Sequence, residues 1–157
     1  IAQRESVMWG THQQEAIEYG NLIHEILSFV KTKHDVDLAI TKALENGLIT
    51  LSQKELVRQT IIDIVEHTAL KNYFEEGYFV MNEQTIIQKE ARTIKPDRMV
   101  VTPENKVFLL DYKTGSSNPK YKIQLDNYQK AIEDMGYTVI QKALVYIAKD
   151  IIVEFDN

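Results

Sequence analysis

The sequence predicts one α/β domain in which helices flank a central mixed β-sheet. Three observations support this: helical spacing of apolar residues in the first half, β-rich segments after it, and a further helix between the strands. A chain of 157 residues with 44% hydrophobic and 26% charged residues is ordinary for one globular domain. We therefore expect a single domain over residues 1–157, helical over about 12–76 and sheet-bearing over about 78–157.

The first half contains three or four predicted helices. Apolar and small residues recur on one stripe over residues 15–33, and a second helix is expected over 36–45. The third helix is expected to open at Ser52, because Glu55 three residues later completes a capping-box pattern. A short fourth helix is expected over residues 70–76.

The second half is typical of a sheet. Residues 78–81 and 85–87 predict a short hairpin, and residues 97–101 and 106–111 predict a second hairpin turned at 102–105. An amphipathic helix over 121–135 follows a polar loop. Strands over 137–148 and 151–155 complete the expected sheet.

Composition excludes several classes of protein. The chain has no cysteine, which excludes disulfides, thiolate zinc sites and iron–sulfur clusters, and favours a reducing, cytoplasmic location. Apolar runs are only a few residues long, so no membrane span is predicted. With 18 basic and 23 acidic residues the net charge is −5, which does not indicate a nucleic-acid-binding surface, although one cleft can still bind phosphate. The start at Ile1 without an export signal predicts a piece of a longer polypeptide.

The chemistry concentrates in two segments, 95–97 and 110–115. Asp111 and Lys113 share one face of the expected strand, and Tyr112 points to the other face. A five-residue loop over 102–106 would set Asp97 opposite Asp111, whereas a four-residue loop would pair Asp97 with Leu110 and separate the two carboxylates.

Two neighbouring carboxylates suit a divalent cation such as Mg²⁺, which can polarise a phosphoryl oxygen and activate water. Lys113 would supply a compact positive charge beside them. Alternatively, an Asp-x-Lys pair at a strand end is often merely solvated. The apolar run over residues 107–110 argues against that alternative, because charges at the end of a buried strand need a partner or a role.

These residues resemble a known family. Lys95-Pro-Asp97 and Leu110-Asp-Tyr-Lys-Thr-Gly115 resemble the active-site signature of the PD-(D/E)xK nuclease superfamily, and especially the RecB-type nuclease domain of RecB and AddA helicase–nucleases. Gly20-Asn-Leu-Ile-His-Glu-Ile-Leu27 is similar to the Gly-xxx-His-xx-Leu helix of that domain, and Gln124 with Tyr128 to its Gln-xxx-Tyr motif. Residues 143–147 resemble its final strand. Lys95 departs from the glycine that is usual two residues before the first aspartate.

The resemblance implies a restriction-endonuclease-like core with an N-terminal helical layer. It implies that His24, Asp97, Asp111 and the backbone carbonyl of Tyr112 bind Mg²⁺ or Mn²⁺. It further implies that Asp97, Asp111 and Lys113 are catalytic. From the residues alone, a lone histidine in the position of His24 is more often a satisfied core residue than a ligand. Gly20, one turn earlier, favours a ligand, because a glycine leaves room for another element.

The remaining motif residues keep two interpretations. Gln124 and Tyr128 lie on one helix face and either contact the nucleic-acid backbone or buttress the site. Lys120 and Lys122 either contact phosphates or are solvated. Glu83 and Glu90 compete for the place of an additional acidic residue.

The activity implied by the resemblance is that of a metal-dependent DNA nuclease of exonuclease type. It would be the C-terminal module of a helicase–nuclease in double-strand-break repair and recombination. Single-stranded DNA would be its substrate and the helicase part its partner. The alternative is a non-catalytic nucleic-acid-binding or scaffolding module on the same fold.

Overall fold

A layer of helices occupies the first half of the chain, as expected. The computed structural model describes residues 13–84, 86–87 and 93–156. Helix α1 covers Gln13–Leu27, α2 covers Val36–Glu45 and α3 covers Lys54–Val65. A 3₁₀ helix over Thr68–Tyr73 replaces the short helix expected over 70–76.

Two helix boundaries differ from the sequence prediction. Helix α1 ends about a turn and a half earlier than residue 33, because Thr32 and Asp35 form their own capping box, which starts a 3₁₀ turn instead. The predicted capping box at Ser52 is also wrong. Thr50 and Gln53 form the box, with the Thr50 amide donating to Gln53 Oε1 at 2.9 Å.

The described residues form seven strands, namely β1 Phe79–Asn82, β2 Ile86–Ile87, β3 Thr93–Ile94, β4 Arg98–Val101, β5 Lys106–Lys113, β6 Thr138–Ile147 and β7 Ile151–Asp156. Five of them form the main sheet, in the order β1-β4-β5-β6-β7, and β2 and β3 form a separate two-stranded sheet. Within the main sheet β5 and β6 are parallel, and helix α4, over Pro119–Asp134, connects them as a crossover; the other pairs are antiparallel. This confirms the mixed sheet flanked by helices.

The first predicted hairpin is wrong. Strand β1 pairs with β4, with Val80 opposite Val100, and β2 pairs with β3. Two features turn the chain away from a hairpin, one long-range and one local. The side-chain amide of Asn82 donates to the carbonyl of Val30, which is distant in sequence, at 3.2 Å, and Glu83 has a positive φ of 50°.

The sheet separates two apolar clusters. One lies between the helical layer and the sheet face that carries Leu110 and Tyr112. The other lies between α4 and the face that carries Leu109 and Leu144. The central strands of the sheet are therefore covered on both faces. Polar side chains gather at the end of the sheet where β4 begins and β5 ends. None of the described helices has the length and apolar character needed to cross a membrane.

Candidate metal centre

Three side chains from three elements converge at this end of the sheet. Nε2 of His24, on α1, lies 3.1 Å from Oε1 of Glu83 and 3.1 Å from Oδ1 of Asp97. These three donor atoms all lie within 4.8 Å of one another. The two carboxylates come from residues that follow β1 and precede β4, so the pairing of these strands brings them together.

The register of β4 and β5 follows the five-residue loop. Val101 pairs with Val107 and Arg98 with Leu110, so the register continued by one residue sets Asp97 across from Asp111. The contacts agree. The Asp97 amide donates to Asp111 Oδ1 at 3.0 Å, and the Tyr112 amide donates to Asp97 Oδ2 at 2.8 Å. The register that keeps the two carboxylates together is therefore confirmed.

The surroundings of Asp111 raise the pKa of its carboxyl group. It is 2% exposed, and burial, followed by repulsion from Asp97, raises its pKa to about 7. Lys113 opposes this shift, since its Nζ lies 3.6 Å from Asp111 Oδ2. A cation bound between the two aspartates would favour the ionised form of Asp111 and lower this pKa.

The carboxylates around His24 raise the pKa of its imidazole. Burial alone would lower the pKa of His24, but the hydrogen bond and charge of Asp97, together with the charges of Glu83 and Asp111, outweigh burial and raise it. The ring also lies 5.4 Å from the ring of Tyr112, centroid to centroid. His24 is therefore placed as a neighbour of three carboxylates and not as a core histidine with its own apolar pocket.

Lys113 is held by a chain of hydrogen bonds that starts on α4. Its Nζ donates to Gln124 Oε1 at 2.8 Å, and Gln124 Nε2 donates to the Tyr128 hydroxyl at 2.9 Å. The Tyr128 hydroxyl donates to the carbonyl of Lys95 at 3.4 Å. The chain joins the lysine to the backbone two residues before Asp97, which supports the buttressing interpretation of Gln124 and Tyr128. Lys95 is not among the described residues with positive φ, so its side chain meets no backbone strain in the place of a glycine.

Gly20 permits the close approach of α1 to the loop after β5. A Cβ atom at Gly20 would lie 1.9 Å from Cγ2 of Thr114, far below any contact that real atoms make. Thr114 directly follows Lys113, so the glycine sets the distance between the helix of His24 and the strand of Asp111 and Lys113. This is the room that the sequence led us to expect.

A buried arginine fixes the other side of the same strand end. Arg98 is fully buried, and the described residues include no carboxylate that forms an ion pair with it. Its Nε donates to the carbonyl of Tyr73 at 2.7 Å, and Nη1 donates to the carbonyl of Val30 at 2.6 Å and to Asn82 Oδ1 at 3.0 Å. Nη2 donates to the carbonyl of Lys31. Because Asn82 precedes Glu83 and Arg98 follows Asp97, this clamp positions the backbone of both candidate ligands against the turn after α1.

The donor set fits a divalent cation. An imidazole nitrogen beside carboxylate oxygens suits Mn²⁺ and Mg²⁺. The Nε2 atom of His24 is buried, and carboxylate oxygens of Glu83 and Asp97 lie 3.1 Å from it. When the imidazole is neutral, the lone pair on this nitrogen can share a cation with the two carboxylates.

A larger cavity than the one beside His24 lies elsewhere in the protein. A cavity of about 780 Å³ is lined by His34, His67 and Glu76, far from the cluster, whereas the cavity beside His24, Tyr112 and Lys113 measures about 220 Å³. The larger cavity contains no group of donor atoms close enough to share an ion among the described residues. We therefore assign the candidate site by its chemistry.

The structure gathers most of the predicted site residues and adds others. His24, Asp97, Asp111 and Lys113 share this end of the sheet, but Asp111 contacts the Asp97 amide and Lys113 rather than joining the three-atom cluster. Of the two acidic candidates, Glu83 lies 3.1 Å from His24 Nε2, and Glu90 lies outside the described residues. Arg98, Asn82 and Thr114 escaped prediction. The only sequence signal was an arginine at the start of the otherwise apolar β4 segment.

Comparison with known proteins assigns the family. The model of the PD-(D/E)XK nuclease superfamily matches residues 2–154. No curated protein matches the sequence. The crystal structure of SSO0001 is similar at 18% identity, with 89% of this chain and 75% of that chain covered, but its TM-score of 0.36 adds nothing to the fold assignment. Because the family model matches nearly the whole sequence, the protein belongs to the PD-(D/E)XK nuclease superfamily, whose members are generally metal-dependent nucleases.

Proposed function

We propose that this chain is a Mg²⁺- or Mn²⁺-dependent deoxyribonuclease domain of exonuclease type that hydrolyses phosphodiesters in single-stranded DNA. The observation that carries the proposal is the convergence of His24, Glu83 and Asp97 beside the buried Asp111 and the held Lys113. These groups cover the needs of phosphodiester hydrolysis, since they combine ligands for a divalent ion with a positioned cation.

Each residue has a distinct part in the proposed reaction. His24, Glu83 and Asp97 hold the ion, and Asp111 joins them when it is ionised; the main-chain carbonyl of Tyr112 is a further proposed ligand. The bound ion supplies a Lewis acid that polarises the phosphate and lowers the pKa of water. Lys113, held by Gln124, offsets the negative charge that develops on the phosphate. Gln124 and Tyr128 orient Lys113 and, in the substrate-binding alternative, also approach the DNA backbone.

The resemblance to RecB-type domains extends the proposal to the biological context. We propose a C-terminal module of a cytoplasmic helicase–nuclease that acts in double-strand-break repair and recombination. The helicase part would deliver a single strand and would supply much of the phosphate binding, which accounts for a net charge of −5 on a DNA-acting domain.

The first test measures the metal site apart from DNA. Calorimetric titration of Mn²⁺ and of Mg²⁺ should show saturable binding to the chain. Binding should be lost in Asp97→Ala and Asp111→Ala and retained in the exposed control Asp37→Ala, which removes a carboxylate far from the cluster. No binding by the unmodified chain would overturn the catalytic proposal and favour the non-catalytic module.

The second test measures cleavage. With the ion present, a single-stranded oligonucleotide labelled at one end should be shortened, and Lys113→Ala should abolish this without abolishing metal binding. A covalently closed single-stranded circle should resist an exonuclease. Its cleavage would contradict the exonuclease assignment and leave a nuclease of endonuclease type.

A further inference from the structure

A groove on the first turns of α4 opens directly onto the candidate site. It measures about 420 Å³ and is lined by six residues, namely Lys113, Lys120, Tyr121, Ile123, Gln124 and Asn127. Lys113 and Tyr121 also line the cavity beside His24. The two spaces therefore share a wall, and a chain molecule lying in the groove would reach the metal centre past Lys113. We call this space the α4 groove.

The charge of the α4 groove is positive, in contrast to the acidic centre that it adjoins. The ammonium groups of Lys113 and Lys120 lie 4.6 and 6.0 Å from the centroid of the Tyr121 ring. No carboxylate among the described residues pairs with Lys120. Lys122, two positions along the same helix, differs, because its Nζ lies 3.2 Å from Glu154 Oε1. Of the two lysines that the sequence left open, only Lys120 thus has an ammonium group available to a phosphate.

The α4 groove also carries an exposed apolar side chain. Ile123 is 59% exposed, whereas the Tyr121 ring is half-buried and packs against the apolar cluster between α4 and the sheet. Gln124 is already engaged at both ends of its amide by Lys113 and Tyr128. The exposed Asn127 completes the lining one turn along the helix. A cation, an exposed apolar side chain and a tyrosine in one groove match the two parts of a nucleotide, a phosphate and a flat base.

We propose that the α4 groove is a nucleotide subsite for a single DNA strand, next to the phosphate that is cleaved. Lys120 contacts a phosphate, and one base lies against Ile123, which is three residues further along the same face of α4. The inference rests on the proposed nuclease function and adds to it the residues that hold the strand. The strand must be single here, because the faces of bases in a duplex are covered by their neighbours and could not lie on Ile123.

The test is the affinity of a fluorescein-labelled oligothymidine strand, measured by fluorescence anisotropy in EDTA so that no cleavage occurs. Lys120→Ala should weaken binding about fivefold at low salt and reduce the salt slope, log Kd against log salt, by about 0.7, the value for one lost phosphate contact on a single strand. Lys122→Ala, with the same change of charge, should alter both quantities little.

The base contact needs a different probe. Ile123→Ala should weaken binding of oligothymidine about threefold but leave unchanged the affinity for an abasic strand of the same length, since only a base contacts the isoleucine. A duplex of the same length should bind more weakly than the single strand and should be insensitive to Ile123→Ala. Ile123 is exposed, so this substitution leaves the fold intact, which the unfolding midpoint checks.

The outcomes separate this inference from the proposed function. If metal binding and cleavage hold but Lys120→Ala and Ile123→Ala behave like Lys122→Ala, the subsite is overturned and the nuclease remains. If the unmodified chain binds no oligothymidine even at low salt, the subsite is overturned as well. If metal titration fails, the nuclease proposal is overturned independently of any binding by the groove.

Discussion

Two consecutive residues of one strand end, Asp97 and Arg98, begin two opposite kinds of charged cluster. Around Asp97, like charges are crowded together: Glu83 and Asp111 lie near, and the pKa of Asp111 is raised to about 7. Around Arg98, every nitrogen of a fully buried cation donates to a carbonyl or an amide oxygen, and its guanidinium lies 4.0 Å above the Phe74 ring. The first cluster gathers three carboxylates around one imidazole and one ammonium group, whereas every nitrogen of the second has a hydrogen-bond acceptor.

The fold places the crowded acidic cluster next to a fully hydrogen-bonded one. The acidic cluster is destabilising while it lacks a cation, because buried carboxylates repel one another. The arginine clamp sits directly behind it and joins β1 and β4 to the turn after α1 through Val30 and Asn82. The hydrogen bonds that stabilise this end of the sheet therefore begin one residue away from the acidic residues that are proposed to bind the ion. Four substitutions test this contrast.

The largest effect is expected from the clamp. Arg98→Ala removes the hydrogen bonds that Arg98 donates to the carbonyls of Tyr73 and Lys31 and opens a cavity in the core, so the free energy of unfolding should fall by about 3–5 kcal/mol. Urea unfolding measures this. The control is Arg58→Ala, which removes an exposed ion pair with Asp37 and should hardly move the midpoint. Equal effects of the two substitutions would contradict the importance of the clamp.

The acidic cluster should respond in the opposite direction. The folded pKa of Asp111, about 7, lies above the ordinary value of 3.8, so the folded state holds the proton more tightly than the unfolded state. Stability of the metal-free chain is therefore greatest below about pH 4 as far as this group is concerned, and it falls as pH rises through 7. Asp111→Asn removes the ionisation and should stabilise the metal-free chain at pH 8 by roughly 2 kcal/mol.

Thermal unfolding in EDTA at pH 5 and pH 8 measures this difference. The variant should gain more at pH 8 than at pH 5. When Mn²⁺ replaces EDTA, the unmodified chain should be stabilised by binding the ion and the variant should not. A variant less stable than the unmodified chain at both pH values would indicate that Asp111 stabilises the fold, and the contrast with Arg98 would be lost.

A smaller effect is expected where α1 meets the loop after β5. Gly20→Ala places a methyl group 1.9 Å from Thr114 Cγ2, so Thr114 must rotate or the helix must move, at a cost of about 1 kcal/mol. Thr114→Ala removes the obstructing carbon. The double variant should then regain stability, because alanine favours a helix over glycine by up to about 1 kcal/mol. Unfolding of all four proteins gives the coupling, and additive effects would show that the two residues do not touch.

The smallest effect on stability is expected for Tyr128→Phe. The hydroxyl accepts from Gln124 and donates to Lys95, so its loss should cost about 1 kcal/mol of stability and should also loosen Lys113, lowering kcat more than it raises KM. Tyr19→Phe is the matched control, since it removes a buried hydroxyl that contacts Thr60 within the helical layer. A similar loss of kcat in both variants would show that Tyr128 acts only through the fold.

The order of elements and the family signature can be read from the sequence alone. Helical spacing, strand-forming runs and turn residues are local properties, so the helices and the mixed sheet were predicted. The motif around Asp97, Asp111 and Lys113 was readable for the same reason, because its spacing within a hairpin fixes which side chains share a face.

Which segments meet depends on long-range contacts that form only in the folded protein. Whether β1 pairs with β2 or with β4 depends on contacts of Asn82 and Arg98 with a turn more than fifty residues away in sequence, and no local pattern encodes them. The choice of Glu83 as the acidic neighbour of His24 follows from that same pairing. The different surroundings of Lys120 and Lys122 were equally hidden, because two nearby lysines on one helix differ only through the strand that packs beside them. Local sequence fixes conformation, whereas burial and long-range pairing assign each charged group its partner.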